Sequence, residues 1–281
     1  MRHKILFTLC SVAAIGLSGC TTNTDAEIDR ALQDVNAIEE SGLNHLMLEA
    51  ADPEEAVSYF QRTLLQYPDR LDIRRGLAQS LTRASRPTDA VRAWQHVVEH
   101  PEATNEDRVF HADALIRDNQ WEEAETVLAA IPPTHETYDR YRLEAMIADS
   151  NQDWERADSF YETAAGLTTQ PAGVLNNWGY SLLTRGDFVE AEDMFRRALR
   201  YDGSNFTIKN NLVLARAVQR KYDLPVIRMT QIERAHLLHT MALAAIRQGD
   251  IIMGKTLLED AINTHPQHFD AAIRALEALE A

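Results

Sequence analysis

An alanine recurs along the chain at intervals of 33 or 34 residues, each time inside a segment rich in acidic side chains. The five positions are Ala56, Ala90, Ala124, Ala157 and Ala191. Four residues after each alanine stands a large apolar side chain, in order Phe60, Trp94, Leu128, Tyr161 and Phe195. Because residues four apart lie on the same face of a helix, the spacing predicts a repeated helix that buries one small and one large residue.

A second helical pattern precedes each of these alanines and is also marked by small side chains. Its landmarks are Ala78 with Leu81, Ala112 with Leu115, Ala145 with Ala148, and Trp178-Gly179 with Leu182. Asn119-Gln120, Gln152-Asp153 and Gly186-Asp187 occupy the positions between the two patterns, where turn-forming residues are expected. The sequence therefore predicts stacked helix-turn-helix units that share a core.

This repeat is similar to the tetratricopeptide repeat, a helix-turn-helix unit of 34 residues. The segment 172–205 matches best, with Trp178, Gly179, Ala191 and Phe195 on pattern. The resemblance implies an all-α protein, a right-handed α-solenoid. We expect its units near 37–70, 71–104, 105–137, 138–171, 172–205 and 235–268, a degenerate unit at 206–234 and a capping helix at 269–281. The degenerate unit has Pro225 at the alanine position, where proline would break a helix.

In the tetratricopeptide repeat family, ligand contacts come mostly from a few positions of the first helix, which line a concave groove. Carried over to this sequence, the groove candidates are Arg75, Gln79, Arg142, Met146, Asn176, Tyr180, Asn210 and Leu214. Chaperone-binding members hold a terminal carboxylate with Lys and Asn, whereas Arg75 and Gln79 stand at the corresponding positions here. The resemblance thus implies protein partners, but not that ligand class.

The first twenty residues have the pattern of an export signal. Arg2 and Lys4 precede an apolar run, 5–15, that is too short to cross a bilayer. Leu17-Ser18-Gly19-Cys20 resembles the bacterial lipobox, which implies a signal peptide over 1–19, a lipid on Cys20 and a tether over 20–36. Thr21 after the cysteine implies sorting to the periplasmic face of the outer membrane. The alternative is an ordinary secretory signal in which Cys20 is incidental.

Charge and cysteine content exclude several classes of function. The chain has 43 acidic and 28 basic side chains, a formal net charge of −15, which argues against nucleic acid as a partner. Its 2 cysteines are Cys10 and Cys20, so the rest of the chain has no thiol for disulfides, metal binding or nucleophilic catalysis.

The sequence suggests no cofactor, metal or catalytic residue. Gly249, Gly254, Lys255 and Thr256 satisfy the phosphate-loop pattern, which makes a nucleoside triphosphatase at 249–256 a distant alternative. A working phosphate loop follows a strand, whereas the residues before Gly249 continue a helical pattern. The histidine pairs His96/His100, His236/His239 and His265/His268 lack the further ligands that a zinc site requires.

Residues 175–183, followed one repeat later by Asn210-Asn211-Leu212, look like the TadD family of tight-adherence (Flp) pilus assembly lipoproteins. This resemblance implies a non-enzymatic role in pilus assembly, with pilus or secretin components as partners. The alternative is a general envelope scaffold for peptidoglycan enzymes or outer-membrane assembly.

Overall fold

Capping side chains set the starts of several helices. Thr104 accepts a hydrogen bond from the backbone N–H of Asp107, whose carboxylate accepts from the N–H of Thr104, which completes a capping box. Thr230 and Glu233 form the same arrangement. Asp52 accepts hydrogen bonds from the two backbone N–H groups that follow Pro53, at 3.0 and 3.3 Å. These contacts satisfy N–H groups that have no partner inside a helix.

The computed structural model describes residues 42–279, and within this range every regular element is a helix. The chain divides into two compact units, Met1–Ala84 and Ser85–Ala281. The described part of the first unit contains α1 (42–49), α2 (Pro53–Gln66) and α3 (Leu71–Arg83). The second contains α4 (Pro87–Val98), α5 (Asn105–Arg117), α6 (Trp121–Ala129), α7 (Tyr138–Ser150), α8 (Trp154–Gly166), α9 (Ala172–Arg185), α10 (Phe188–Tyr201), α11 (Phe206–Ala217), α12 (Gln231–Arg247), α13 (Ile251–Thr264) and α14 (Asp270–Glu277).

A recurring turn joins the two helices of a repeat in the second unit. Its residue with positive φ is Asn119 (61°), Gln152 (59°), Gly186 (97°) or Gly249 (81°). Glycine and asparagine adopt this left-handed conformation at the lowest cost. The turns fold α5 onto α6, α7 onto α8, α9 onto α10 and α12 onto α13, and each of these pairs packs together.

The small residues of the repeat lie where two helices approach closely. In the second unit Ala90, Ala124, Ala157 and Ala191 are fully buried. Gly179 of α9 faces the ring of Phe195 on α10, and a Cβ atom at Gly179 would lie 2.8 Å from Phe195 Cε1. Glycine is therefore needed at this position because any larger side chain would clash with the aromatic residue of the same repeat.

The degenerate repeat keeps its first helix and its turn but has no second helix. Arg220, with φ of 60°, follows α11 as the other turn residues follow their helices. Residues 221–230 are then irregular, and Pro225 lies among them. Since proline has no N–H and clashes with the preceding helical turn, it prevents the missing helix.

Buried charges hold the irregular segment in place. Glu192 of α10, 7% exposed, accepts hydrogen bonds from Arg216 Nη1 at 2.8 Å and Lys221 Nζ at 3.0 Å. Arg216 in turn donates to Asp223 Oδ2 at 2.7 Å. Burial acts to raise the pKa of Glu192, but hydrogen bonds from Arg196, Lys221 and Arg216 outweigh it and lower the pKa to about 2.

The predicted all-α, solenoid-like repeat fold is confirmed. The proposed signal peptide, Cys20 and the tether lie outside the described residues. Within residues 42–279, no helix combines the length and apolar character needed to cross a membrane.

Candidate functional site

Three successive first helices of the second unit lie side by side, because α7 contacts α9 and α9 contacts α11. Side chains of these helices, together with residues of α6 and α8, border a groove with a volume of about 640 Å³. The lining residues are Trp121, Met146, Asp149, Ser150, Trp154, Tyr161, Asn176, Asn177, Tyr180, Ser181, Thr184, Thr207 and Asn211. We call this surface the α7–α9–α11 groove.

Side-chain amides cross the groove from one repeat to the next. Asn211 Nδ2 donates to Asn176 Oδ1 at 3.0 Å, and Asn177 Nδ2 donates to Met146 Sδ at 3.8 Å. Within residues 42–279, the amide nitrogen of Asn176 and the amide oxygen of Asn211 make no further hydrogen bond. These two groups can therefore donate to and accept from a polypeptide backbone that enters the groove.

Aromatic side chains give the groove its apolar surface. Tyr180 of α9 is 53% exposed, although it is a large side chain. Trp121 and Trp154 are half-buried at the first positions of α6 and α8. The guanidinium of Arg185 lies over the Trp154 ring, 5.8 Å from its centroid. Exposed rings of this kind offer large contact area with a polar edge, which is typical of protein-binding surfaces.

One acidic side chain lies in the groove, the half-buried Asp149 of α7. Its Oδ2 accepts a hydrogen bond from Tyr161 OH at 2.6 Å, and its Oδ1 accepts one from Ser181 Oγ at 2.5 Å. Burial raises the pKa of Asp149 above the ordinary carboxyl value, although both hydrogen bonds act to lower it. Burial and the contact with Asp149 also raise the pKa of Tyr161, so its hydroxyl stays protonated and donates.

Three of the residues predicted from the sequence, Met146, Asn176 and Tyr180, line this groove together. Arg142 does not line it: it lies in an ion-pair cluster, 3.0 Å from Asp113 and 3.2 Å from Asp139.

The other predicted residues lie elsewhere. Asn210 accepts a hydrogen bond from Thr240 of α12 at 2.7 Å, and Leu214 packs against the C-terminal core cluster. Arg75 and Gln79 lie one turn apart on α3, in the first unit, where both are half-buried.

Sequence reasoning missed several residues that line the groove, among them Trp121, Asp149, Trp154 and Asn211. A signal was available for the two tryptophans, because both are the first residue of a second helix and they are one repeat apart. Asn211 follows Asn210 as Asn177 follows Asn176. The family pattern predicts only the first asparagine of each pair, Asn176 and Asn210, as a groove residue. No sequence signal distinguishes Asp149 from other acidic residues of the repeats.

The phosphate-loop interpretation of 249–256 is wrong. Helix α13 begins at Ile251 and runs through Gly254, and the preceding element is helix α12. The Asp250 side chain already accepts a hydrogen bond from the backbone N–H of Met253 at 3.3 Å, which places a negative charge where a phosphate would bind. Gly254 is small because a Cβ there would lie 2.4 Å from Ile246 Cγ1.

Several of the paired histidines form an aromatic cluster. The rings of His236 and His265 lie 4.8 and 4.9 Å from that of Phe269, measured between centroids, and His239 lies 5.4 Å from it. Burial, followed by the nearby His236, lowers the pKa of His239. Across the described part of the chain, no three His, Cys, Asp or Glu side chains are grouped as metal ligands.

The fold and the repeat pattern agree with comparisons to known proteins. A family model described as tetratricopeptide repeat matches residues 46–103 and 176–224. The mouse protein named tetratricopeptide repeat protein 21B is 25% identical over 128 residues, which are 41% of this chain and 10% of that protein. The chain thus spans only a small part of this relative. Its repeat pattern and its fold are similar to those of tetratricopeptide repeat proteins.

Solved structures of low sequence identity share the fold. A tetratricopeptide repeat protein from Parabacteroides merdae has a TM-score of 0.56 at 9% identity; the match covers 85% of this chain and 97% of the Parabacteroides chain. A chain of the APC/C hetero-tetramer Cut9–Hcn1 has a TM-score of 0.62 at 12% identity; the match covers 85% of this chain and 48% of the matched chain. PilW, titled a widely conserved type IV pilus biogenesis factor, has a TM-score of 0.55 at 12% identity; the match covers 73% of this chain and 98% of the PilW chain.

Proposed function

We propose that this chain is a non-enzymatic, lipid-anchored scaffold that binds an extended segment of a partner protein in the α7–α9–α11 groove. The observation that carries the proposal is the groove itself, where the free amide groups of Asn176 and Asn211 lie beside the exposed ring of Tyr180. Amide groups pair with any backbone, while an aromatic ring supplies contact area at a low cost in conformational entropy.

We further propose that the partner belongs to the assembly machinery of Flp-type pili, including its secretin. Two features support this role: the resemblance of residues 175–183 and 210–212 to the TadD family, and the lipobox-like segment that ends at Cys20. The fold likeness to PilW is compatible with it but concerns the fold alone. In this proposal the lipid holds the repeats at the periplasmic face of the outer membrane.

Photo-cross-linking in intact cells tests the partner assignment. A cross-linking amino acid at Tyr180 should capture a pilus-assembly or secretin component, whereas the same group at the exposed Val189 of α10 should not. Capture of peptidoglycan enzymes at Tyr180 instead would favour the general envelope scaffold. If neither position gave a specific product, the groove would not be the binding surface.

Tyr180→Ala should weaken binding of the captured partner segment roughly tenfold, because it removes the largest exposed ring of the groove. The measurement is isothermal titration with a synthetic peptide of that segment. Tyr201→Ala is the matched control, since Tyr201 is also 53% exposed but does not line the groove. Equal affinities for the two variants would contradict the proposed site.

Cys20→Ser should abolish incorporation of radiolabelled palmitate and release the protein from the outer-membrane fraction, because one sulfur is the only attachment point proposed for the lipid. Labelling of the variant at the level of the unsubstituted protein would refute the anchor. That result would leave the groove proposal untouched.

A further inference from the structure

The carboxylate of Asp149 in the α7–α9–α11 groove forms no direct ion pair with any residue of the described part of the chain. It is held by two neutral hydroxyl groups, those of Tyr161 and Ser181. Each carboxylate oxygen has a further lone pair, so both can accept another hydrogen bond. Removing a carboxylate from water without a compensating positive charge is unfavourable, and the raised pKa of Asp149 agrees with this.

Two arginines near the groove are already paired with other acids. Arg185 contacts Asp158 at 2.8 Å and Asp187 at 2.9 Å. Arg142, which lies outside the groove lining, is paired with Asp113 and Asp139. Within residues 42–279, no Lys, Arg or His forms a salt bridge with Asp149. Arg185 still attracts the Asp149 carboxylate at a distance, which acts to lower its pKa, but this guanidinium is committed to Asp158 and Asp187.

The remainder of the groove is suited to a positive charge. Trp121 and Tyr180 line it with Asp149, and the faces of such rings attract cations, whereas the Trp154 ring already lies under the guanidinium of Arg185. None of the lining side chains is basic. A carboxylate beside aromatic rings is complementary to an ammonium or guanidinium group on an apolar stem.

We propose that the partner segment places a lysine or arginine side chain in the α7–α9–α11 groove, where Asp149 is its counter-ion and the aromatic rings contact its stem. This proposal rests on the proposed function, because it assumes that a polypeptide binds there. The two are separable, since a peptide can bind through the amides and Tyr180 without a basic residue.

The test uses short acetylated peptides with randomised flanks and lysine, norleucine or glutamate fixed at the centre. Norleucine matches the stem of lysine but has no charge. We expect the full-length protein to enrich lysine peptides over norleucine peptides at least about tenfold, the effect of one hydrogen-bonded charge pair. Glutamate peptides should be depleted.

Variants then assign the preference to Asp149. Asp149→Asn keeps the size of the side chain and one acceptor, and should reduce the enrichment of lysine over norleucine to about one. Asp149→Glu should restore it in part, and the exposed Asp193→Asn on α10 should leave it unchanged. Because the readout is a ratio within each protein, a partial loss of stability does not affect it. Circular dichroism verifies that each variant is folded.

The outcomes separate the two proposals. Equal enrichment of lysine and norleucine by the unsubstituted protein would overturn the cation proposal while peptide binding stands. Lysine preference that survives in folded Asp149→Asn would overturn the role of this carboxylate. If no peptide is enriched at all, the peptide-binding function fails together with the inference.

Discussion

Glu192→Gln should lower the free energy of unfolding by roughly 3 kcal/mol at neutral pH, the typical cost of breaking a buried ion pair. The substitution leaves the buried Arg216 with the exposed Asp223 as its remaining ion-pair partner and removes the ion pair that holds Lys221. Urea denaturation followed by far-ultraviolet circular dichroism measures the change. A decrease of less than about 1 kcal/mol would mean that the network contributes little to stability.

The effect should depend on pH in a defined direction. The pKa of Glu192 is about 2 in the folded protein, below the ordinary value of 4.5, so the folded state favours the ionised form. The stability from this carboxylate is present above pH 4.5 and is lost as pH falls towards 2. The difference between the unsubstituted protein and Glu192→Gln should therefore shrink across that window. Glu190→Gln, on the exposed side of α10, should change stability by less than about 1 kcal/mol at neutral pH.

Gly179→Ala should destabilise the protein by roughly 2 kcal/mol, although alanine is the better helix former. The new methyl group would lie 2.8 Å from the ring of Phe195, which is fully buried. Either the ring or the spacing between α9 and α10 must shift. The shift of the urea midpoint gives the size of this effect.

Gly173→Ala on the same helix is the control for the Gly179 variant. A Cβ at Gly173 would meet only Tyr138 OH, at 3.7 Å, which is an ordinary contact. Because no clash opposes the substitution and Gly173 lies in the first turn of α9, stability should stay the same or rise by less than about 1 kcal/mol. If both alanine variants were stabilised alike, close packing would not be the reason for glycine at 179.

The repeat fold could be predicted from the sequence because its determinants are local and periodic. Ala191, Phe195 and Gly179 stand at fixed distances along the chain, and the same distances bring them into contact in space. The absent second helix of the degenerate repeat was also foreseeable from Pro225, because its effect on the backbone does not depend on its surroundings.

The groove was predictable only in part because its chemistry depends on contacts between repeats. The positions of Tyr180 and Asn176 in the repeat predict their place in the groove. The same rule selects Arg142, but its guanidinium forms an ion pair with Asp113 of the preceding repeat. Likewise, Asp149 resembles any other acidic residue until Tyr161 and Ser181 are seen to hold it. Position in a repeat predicts which side chains face the groove, but not which of them are already bound.

The missing second helix has a consequence for how the second unit unfolds. Leu212 of α11 belongs to the core of α9 and α10, while Val213, the next residue, belongs to the core of α12 and α13. A single helix, α11, therefore lies between these two hydrophobic cores, where a regular repeat would place two helices. Because buried side chains on the two sides of this helix belong to different clusters, we expect the amides before and after α11 to exchange as separate blocks in native-state hydrogen exchange.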